Sequence, residues 1–307
     1  MKPELRFAVR FLVGAALVTL ILRRVDLSGL GALTAGQAAK GVLLAAVLLL
    51  IGQGFAAFRW RLILGPGAPP WSYLYRLYVI GGFCSLFLPT VVGGDAVRAA
   101  AAARTTGAVV PVVTSVLLDR AIGVLAMFIY IGLGIAIAPN LAWRMLGGLA
   151  WSRGSGEMVA AGALTAALVA AITLTRSPRV RSAARSAREA ASLLWRSPGT
   201  GALVVLIGLV VQGLYLALWV VLGWSMDLGL PLAAYAVAVP LVTLGAMLPV
   251  TLAGLGVREG VWLLLLRGLV PDARIVAFSL MFFAANLVAG SVGGVLFVTK
   301  GTSLDRQ

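Results

Sequence analysis

The chain has 307 residues, 61% of them hydrophobic and only 11% charged, with a mean hydropathy of +1.03. Soluble domains carry about 25% charged residues, so this is a polytopic membrane protein with almost no room for a soluble domain. The net charge of +15 belongs to short loops that hold the topology: no basic stretch with interleaved aromatics is long enough to make a nucleic-acid surface, and no nucleic-acid partner is expected. Histidine is absent, which removes the commonest general base and metal ligand, and neither a metal site nor a cofactor is expected. The single cysteine, Cys84, lies in an apolar run and is read as packing.

A helix needs about 20 apolar residues to cross the hydrocarbon. The N-terminal basic residues and the run Phe7 to Leu22 end in Arg23-Arg24 rather than at a small-residue cleavage site, so they read as a retained span. Full spans are expected near 5–22, 41–58, 109–138, 157–175, 201–224 and 273–299. Two more apolar stretches, 77–92 and 232–253, run into Pro89 and Pro249 and read as broken or re-entrant helices, because proline lacks the backbone donor and crowds the preceding turn. With the N-terminus inside and both broken segments returning to their side of entry, the inside pieces hold sixteen Lys and Arg and the outside pieces eight. The positive-inside rule favours that orientation, with both termini cytoplasmic. Most of the bias comes from Arg176, Arg179, Arg181, Arg185, Arg188 and Arg196, a loop suited to anionic headgroups.

Two stretches are copies of one another. Pro89-Thr-Val-Val-Gly93-Gly94-Asp95-Ala-Val97-Arg98 and Pro249-Val-Thr-Leu-Ala-Gly254-Leu-Gly256-Val257-Arg258 both read P-x4-G-x2-V-R, 160 positions apart. A second pair, Gln53-Gly54-x5-Trp60 and Gln212-Gly213-x5-Trp219, stands 159 apart. The expected fold is therefore all-α, about six full spans plus two broken helices, in an inverted repeat of residues 1–150 and 151–307. Paired broken helices in inverted repeats mark many secondary transporters, with the binding site where the breaks meet.

A helix restarting near Asp95 or Gly256 has unpaired N–H groups and a positive dipole end, which suit an anion. Arg98 and Arg258 add bidentate donors fitted to phosphate. Equally, Asp95 and Glu259 are placed to cap helices and the arginines to snorkel. Asp119-Arg120 lies inside a span, where charges are costly and usually paired or functional. Adjacent residues on a helix do not face each other, so each is expected to have a partner elsewhere, Arg98 or Arg104 for Asp119. Gln53, Gln212 and Asn286 are mid-span amides, suited to interhelical hydrogen bonds or to a ligand, and Gly290-x3-Gly294 is a close-packing pattern. Gly254-Leu-Gly256-x3-Gly260 has the wrong spacing and setting for a dinucleotide loop.

Arg59-Trp60-Arg61-Leu62, Phe87-Leu88-Pro89-x3-Gly93-Gly94-Asp95-x2-Arg98, Asp119-Arg120-x2-Gly123 and Leu248-Pro249-x4-Gly254-x-Gly256-Val257-Arg258-Glu259 occur in order. Together they resemble the flippase-like transmembrane family, the membrane part of lysylphosphatidylglycerol synthase, which also occurs alone in bacteria and archaea. The resemblance implies a helical domain in the cytoplasmic (inner) membrane that moves a lipid between leaflets. It implies Asp95, Arg98, Arg120, Arg258 and Glu259 as the polar motif residues. Many relatives carry Glu where this chain has Asp95 and Asp119. The synthase's soluble aminoacyl-transferase domain would follow the last span, so synthase activity is not expected of these 307 residues, and the cargo does not transfer with the resemblance.

The expectation is thus a transporter rather than an enzyme: a translocator of a phosphate-containing lipid, phospholipid or polyprenyl-phosphate-linked. Its binding residues would be Arg98, Arg258, Asp95, Glu259, Asp119, Arg120, Gln53 and Gln212, with Pro89, Gly93, Gly94, Pro249, Gly254 and Gly256 forming the breaks. The alternatives are a membrane transferase acting on a polyprenyl phosphate through its carboxylates, and a non-catalytic membrane partner of a lipid-modifying enzyme. Oligomeric state is not legible.

Overall fold

The computed structural model describes residues 35–87, 93–150, 197–247 and 256–300. The expected spans 5–22 and 157–175, the arginine run up to Arg196, and Pro89, Pro249 and Gly254 lie outside these residues. The described residues form helices only: α1 (Ala35–Leu64), α2 (Trp71–Phe87), α3 (Gly93–Thr106), α4 (Val109–Ile137), α5 (Pro139–Ala150), α6 (Pro198–Ser225), α7 (Leu232–Ala246), α8 (Val257–Leu266) and α9 (Asp272–Lys300). Four of them, α1, α4, α6 and α9, are long and apolar enough to cross a membrane.

Three spans match their expected limits closely, and α1 is longer than expected. Its 30 residues rise about 45 Å, more than the hydrocarbon thickness of roughly 30 Å. Its last two turns therefore carry Arg59 and Arg61, which the sequence placed in a loop. Helix α5 is a further difference. Its segment was read as an outside loop, yet it forms an amphipathic helix with Ala142 and Met145 buried and Trp143 exposed. Helix α7 runs through Pro240 without ending there.

The central contact is α1 against α6, and the two run antiparallel. A Cβ on Gly41 would meet Ser225, one on Gly52 would touch Leu214 Cβ at 4.0 Å, and one on Gly208 would lie 3.2 Å from Arg59 Nη1. Around this pair the halves exchange helices, with α9 packed on α2 and α7 packed on α4. Both crossings use glycine, because only a missing Cβ lets the backbones come so close. A Cβ at Gly293 would collide with Val79 O, and one at Gly294 would sit 3.0 Å from Phe83 Cε2. At the other crossing, a Cβ at Gly134 would lie 2.7 Å from Val237 Cγ2. Gly290 and Gly294 are thus packing residues, and Gly134 and Gly294 are 160 positions apart.

Two buried clusters fill the bundle, and the second also takes in Ala45, Ala46 and Met145. Trp60, Tyr73, Leu74, Leu77, Ala102 and Val116 are buried together in the first. The second is built on Trp219, Trp262, Tyr235, Phe278 and Phe282. There Trp219 stacks on Phe282 with centroids 4.4 Å apart and lies 5.0 Å from Trp262.

Candidate functional site

The charges of the first half converge. Helices α1, α2, α3 and α4 bring Arg59, Tyr78, Asp95, Arg98, Asp119 and Arg120 into one network. Asp119, buried on α4, accepts at Oδ1 from Arg59 Nε (2.7 Å). At Oδ2 it accepts from Tyr78 Oη (2.5 Å) and Arg98 Nη2 (3.1 Å). Asp95 accepts from Arg98 Nε at Oδ1 (2.8 Å) and from Arg120 Nε at Oδ2 (2.5 Å), and Arg120 Nη2 contacts the same Oδ2. The adjacent pair Asp119-Arg120 therefore points to different partners, as helical geometry requires. Arg98 is the expected partner of Asp119, whereas Arg104 is exposed at the end of α3.

Arg98 is held on its faces as well as its edges. Its guanidinium carbon lies 4.6 Å from the Trp60 ring centroid and 4.2 Å from that of Tyr78. A cation between two ring faces is attracted by their quadrupoles, and the more so away from water. Trp60 is fixed in turn by donating from Nε1 to Ser115 Oγ (2.8 Å). Asp95 sits in the first turn of α3, near its positive dipole end. Helix α3 is pressed onto α2 through two glycines, since a Cβ on Gly94 would collide with Gly81 O. Gly94 N–H donates to Ser85 Oγ (3.1 Å). Gly93, the first residue of α3, is half-buried.

Among the described residues three guanidiniums and two carboxylates meet here. Arg59 Nη1 and Arg98 Nη1 are buried without a hydrogen-bond acceptor. Few buried arginine donors go unmatched, because each unmatched polar group costs about 1–3 kcal/mol and more when charged.

The second half places its motif residues differently. Gly256 caps α8 at φ 81°, a conformation that glycine adopts freely. Glu259 Oε2 accepts from Gly256 N–H (2.6 Å), and Oε1 accepts from Ser279 Oγ (2.7 Å). Both carboxylate oxygens are thereby engaged in capping the start of α8 and joining it to α9. Arg258 is half-buried with its guanidinium carbon 4.5 Å from the Phe282 ring.

The mid-span amides are not among the hydrogen-bond partners of Asp95 and Asp119. Gln53 Nε2 is set against Gly82, where an added Cβ would stand 3.0 Å away, and Gln53 lines a small cavity of about 130 Å³ between α1 and α6. Gln212 is buried on α6. Gln53 Oε1 and Gln212 Nε2 have no hydrogen-bond partner. Asn286 Nδ2 donates back to Phe282 O of its own helix (2.9 Å).

Sequence reasoning missed two members of the network. Arg59 was assigned to a loop, although it precedes Trp60, the residue that repeats at Trp219. Tyr78 gives no sequence signal by itself, but it follows Trp71 and Tyr75 at helical spacing. Spacing of that kind could have placed it on one face.

Fold and site together define a multi-pass helical membrane protein with an ion-pair network buried in an apolar bundle. The family described as "Lysylphosphatidylglycerol synthase TM region" matches residues 7–294. The chain belongs to that family and is a membrane protein involved in lipid handling. No curated protein and no solved structure matches it.

Proposed function

We propose that this protein translocates a phosphate-containing lipid between the leaflets of a bacterial or archaeal cytoplasmic membrane. The observation that carries the reading is the buried ion-pair network with two unmatched guanidinium donors, Arg59 Nη1 and Arg98 Nη1. A charge inside a bilayer is expensive. Unmatched guanidinium donors are satisfied by an anionic oxygen, and a phosphate diester offers two. Arg258, beside the restart of α8, is the second cation on the path.

The packing supports an inverted repeat. If α1 and α6 are equivalent, their antiparallel course is what a two-fold axis in the membrane plane produces. The same axis exchanges the α2–α9 contact with the α4–α7 contact. On this reading residues 1–150 and 151–307 are upside-down copies. Both termini are then cytoplasmic. A transporter fits better than a carboxylate-based transferase, because Asp95 and Asp119 are held in ion pairs and Glu259 in a helix cap.

The test uses vesicles containing the protein and a headgroup-accessible fluorescent phosphatidylglycerol, with the exchange rate read by quenching of the outer leaflet. Arg98→Ala with Arg258→Ala is expected to slow exchange at least tenfold. The half-buried Arg258→Gln alone, which leaves the buried network intact, is expected to slow it less. A folded double variant that exchanges lipid as fast as the parent would overturn the assignment.

A further inference from the structure

Glu259 is a buried carboxylate outside the ion-pair network. It is 1% exposed, and its bonds come from neutral donors: Gly256 N–H at Oε2 (2.6 Å) and Ser279 Oγ at Oε1 (2.7 Å). Asp95 and Asp119 each receive two arginines, whereas among the described residues no cation comes within ion-pair distance of Glu259. An ionised carboxylate away from water and without a counter-ion is costly, and proton uptake removes that cost.

Helix α8 packs on α5, α7 and α9, and the charged and titratable groups of these helices are engaged elsewhere. Arg144, Arg267 and Asp272 are exposed. Arg274 Nη1 donates to Asp227 O (3.4 Å). Tyr235 sets its hydroxyl against Gly223 of α6. Arg258, the preceding residue, lays its guanidinium over the Phe282 ring. Lys300 ends α9, about 30 Å along the helix from Ser279.

The Glu259–Ser279 contact serves either protonation state. Ionised Glu259 accepts the serine proton. Neutral Glu259 donates from Oε1 to the same serine oxygen, whose own proton then turns to the carbonyl of Ile275, four residues back and the usual acceptor of a helical serine. Oε2 accepts from Gly256 N–H in both states. One hydroxyl rotation therefore admits a proton while the cap of α8 stays closed.

We infer that Glu259 is a proton-binding site, with Ser279 as its exchangeable hydrogen-bond partner, and that its proton travels with the anionic lipid. The inference rests on the translocation reading above and adds the coupling ion. Arg258 is the cation beside the restart of α8, so a phosphate that reaches it stands one residue from Glu259. Like charges repel strongly in a water-poor interior. Anion arrival thus favours the neutral carboxyl, and proton uptake favours the anion by the same factor.

The experiment uses the full chain in vesicles of phosphatidylethanolamine and phosphatidylglycerol. Infrared spectra are differenced between neutral and acid buffer, and then between the parent and Glu259→Gln. One protonated-carboxyl band is expected to remain, told from the lipid esters by its shift in deuterated water. Ser279→Ala should move that band without removing it. The second readout is the exchange of fluorescent phosphatidylglycerol. Acid on one side is expected to speed movement away from that side at least threefold in the parent, and Glu259→Gln should give equal rates with and without the gradient.

A difference spectrum without that band would overturn the inference, and so would a band that Ser279→Ala leaves unmoved. A parent whose exchange ignores the gradient, or a Glu259→Gln variant that still answers it, would do the same. If the band behaves as expected while the vesicles exchange no lipid, the proton site stands and translocation falls.

Discussion

Arg98 and Arg258 hold the same place in two copies of one motif, yet their surroundings differ in kind. Arg98 is 3% exposed, bonded to two carboxylates and stacked between Trp60 and Tyr78. Arg258 rests on Phe282, and Phe282 in turn stacks on Trp219. The tryptophan of the shared Gln-Gly-x5-Trp motif supports the arginine directly in the first half and through an inserted ring in the second. The residues 160 positions on explain the change. Asp119 corresponds to Ser279 and Ile122 to Phe282. The two motif copies thus differ: charge gathers around Arg98, and aromatic rings gather around Arg258.

The sharpest way to break this contrast is Asp119→Asn. It removes a charge that Arg59, Arg98 and Tyr78 all address, leaving guanidiniums buried without their counter-ion. Breaking a buried pair from one side costs about 3–5 kcal/mol, and thermal unfolding in detergent should record the largest loss of any variant here. Ser279→Ala, at the corresponding position of the second half, removes one hydrogen bond to Glu259. It should cost about 1–3 kcal/mol by the same measurement. Equal losses for the two would mean that the halves are energetically alike.

Next comes the packing that joins the halves. Gly293→Ala drives a methyl into the Val79 carbonyl, a backbone atom that cannot turn aside. A loss of about 1–3 kcal/mol is expected. Gly134→Ala, at the α4–α7 crossing, meets chiefly a valine methyl and should cost less. Gly256→Ala tests the cap of α8. The left-handed φ of 81° penalises any Cβ by about 1–2 kcal/mol.

The smallest effect separates the two motif tryptophans. Trp60 Nε1 donates to Ser115, whereas Trp219 Nε1 is buried without a partner. Trp60→Phe should therefore cost about 1 kcal/mol more than Trp219→Phe, because only the first loses a formed hydrogen bond. Unfolding midpoints of the two variants, compared at one detergent concentration, check the sign.

Much of the fold was legible because a bilayer imposes one-dimensional rules. Spans of fixed apolar length, helix interruptions at Pro and Gly, and a 160-residue correspondence can all be read along a chain. The ends of α4, α6 and α9 fall within a few residues of where hydropathy put them. Helix α1 ran past its expected end because Arg59, which hydropathy counts as a loop residue, is paired with Asp119 inside the bundle. The candidate site was legible in part. Arg98, Asp119 and Asp95 stood out as charges in apolar sequence, and the Arg98–Asp119 pair was among the partners expected. Glu259, a match to the same motif, is engaged in a helix cap instead.

By itself the sequence determined a membrane protein of this family, its duplicated motif, and the positions where charge enters the bundle. Those properties follow from local composition and from helical period, which act over a few residues at a time. Only the tertiary structure decided that Arg59 and Tyr78, 60 and 41 positions from Asp119, complete the network. Ion pairing across such distances depends on which helix faces meet, and those faces are set by the glycine crossings and by α1 packing on α6 rather than by any residue's neighbours in the chain.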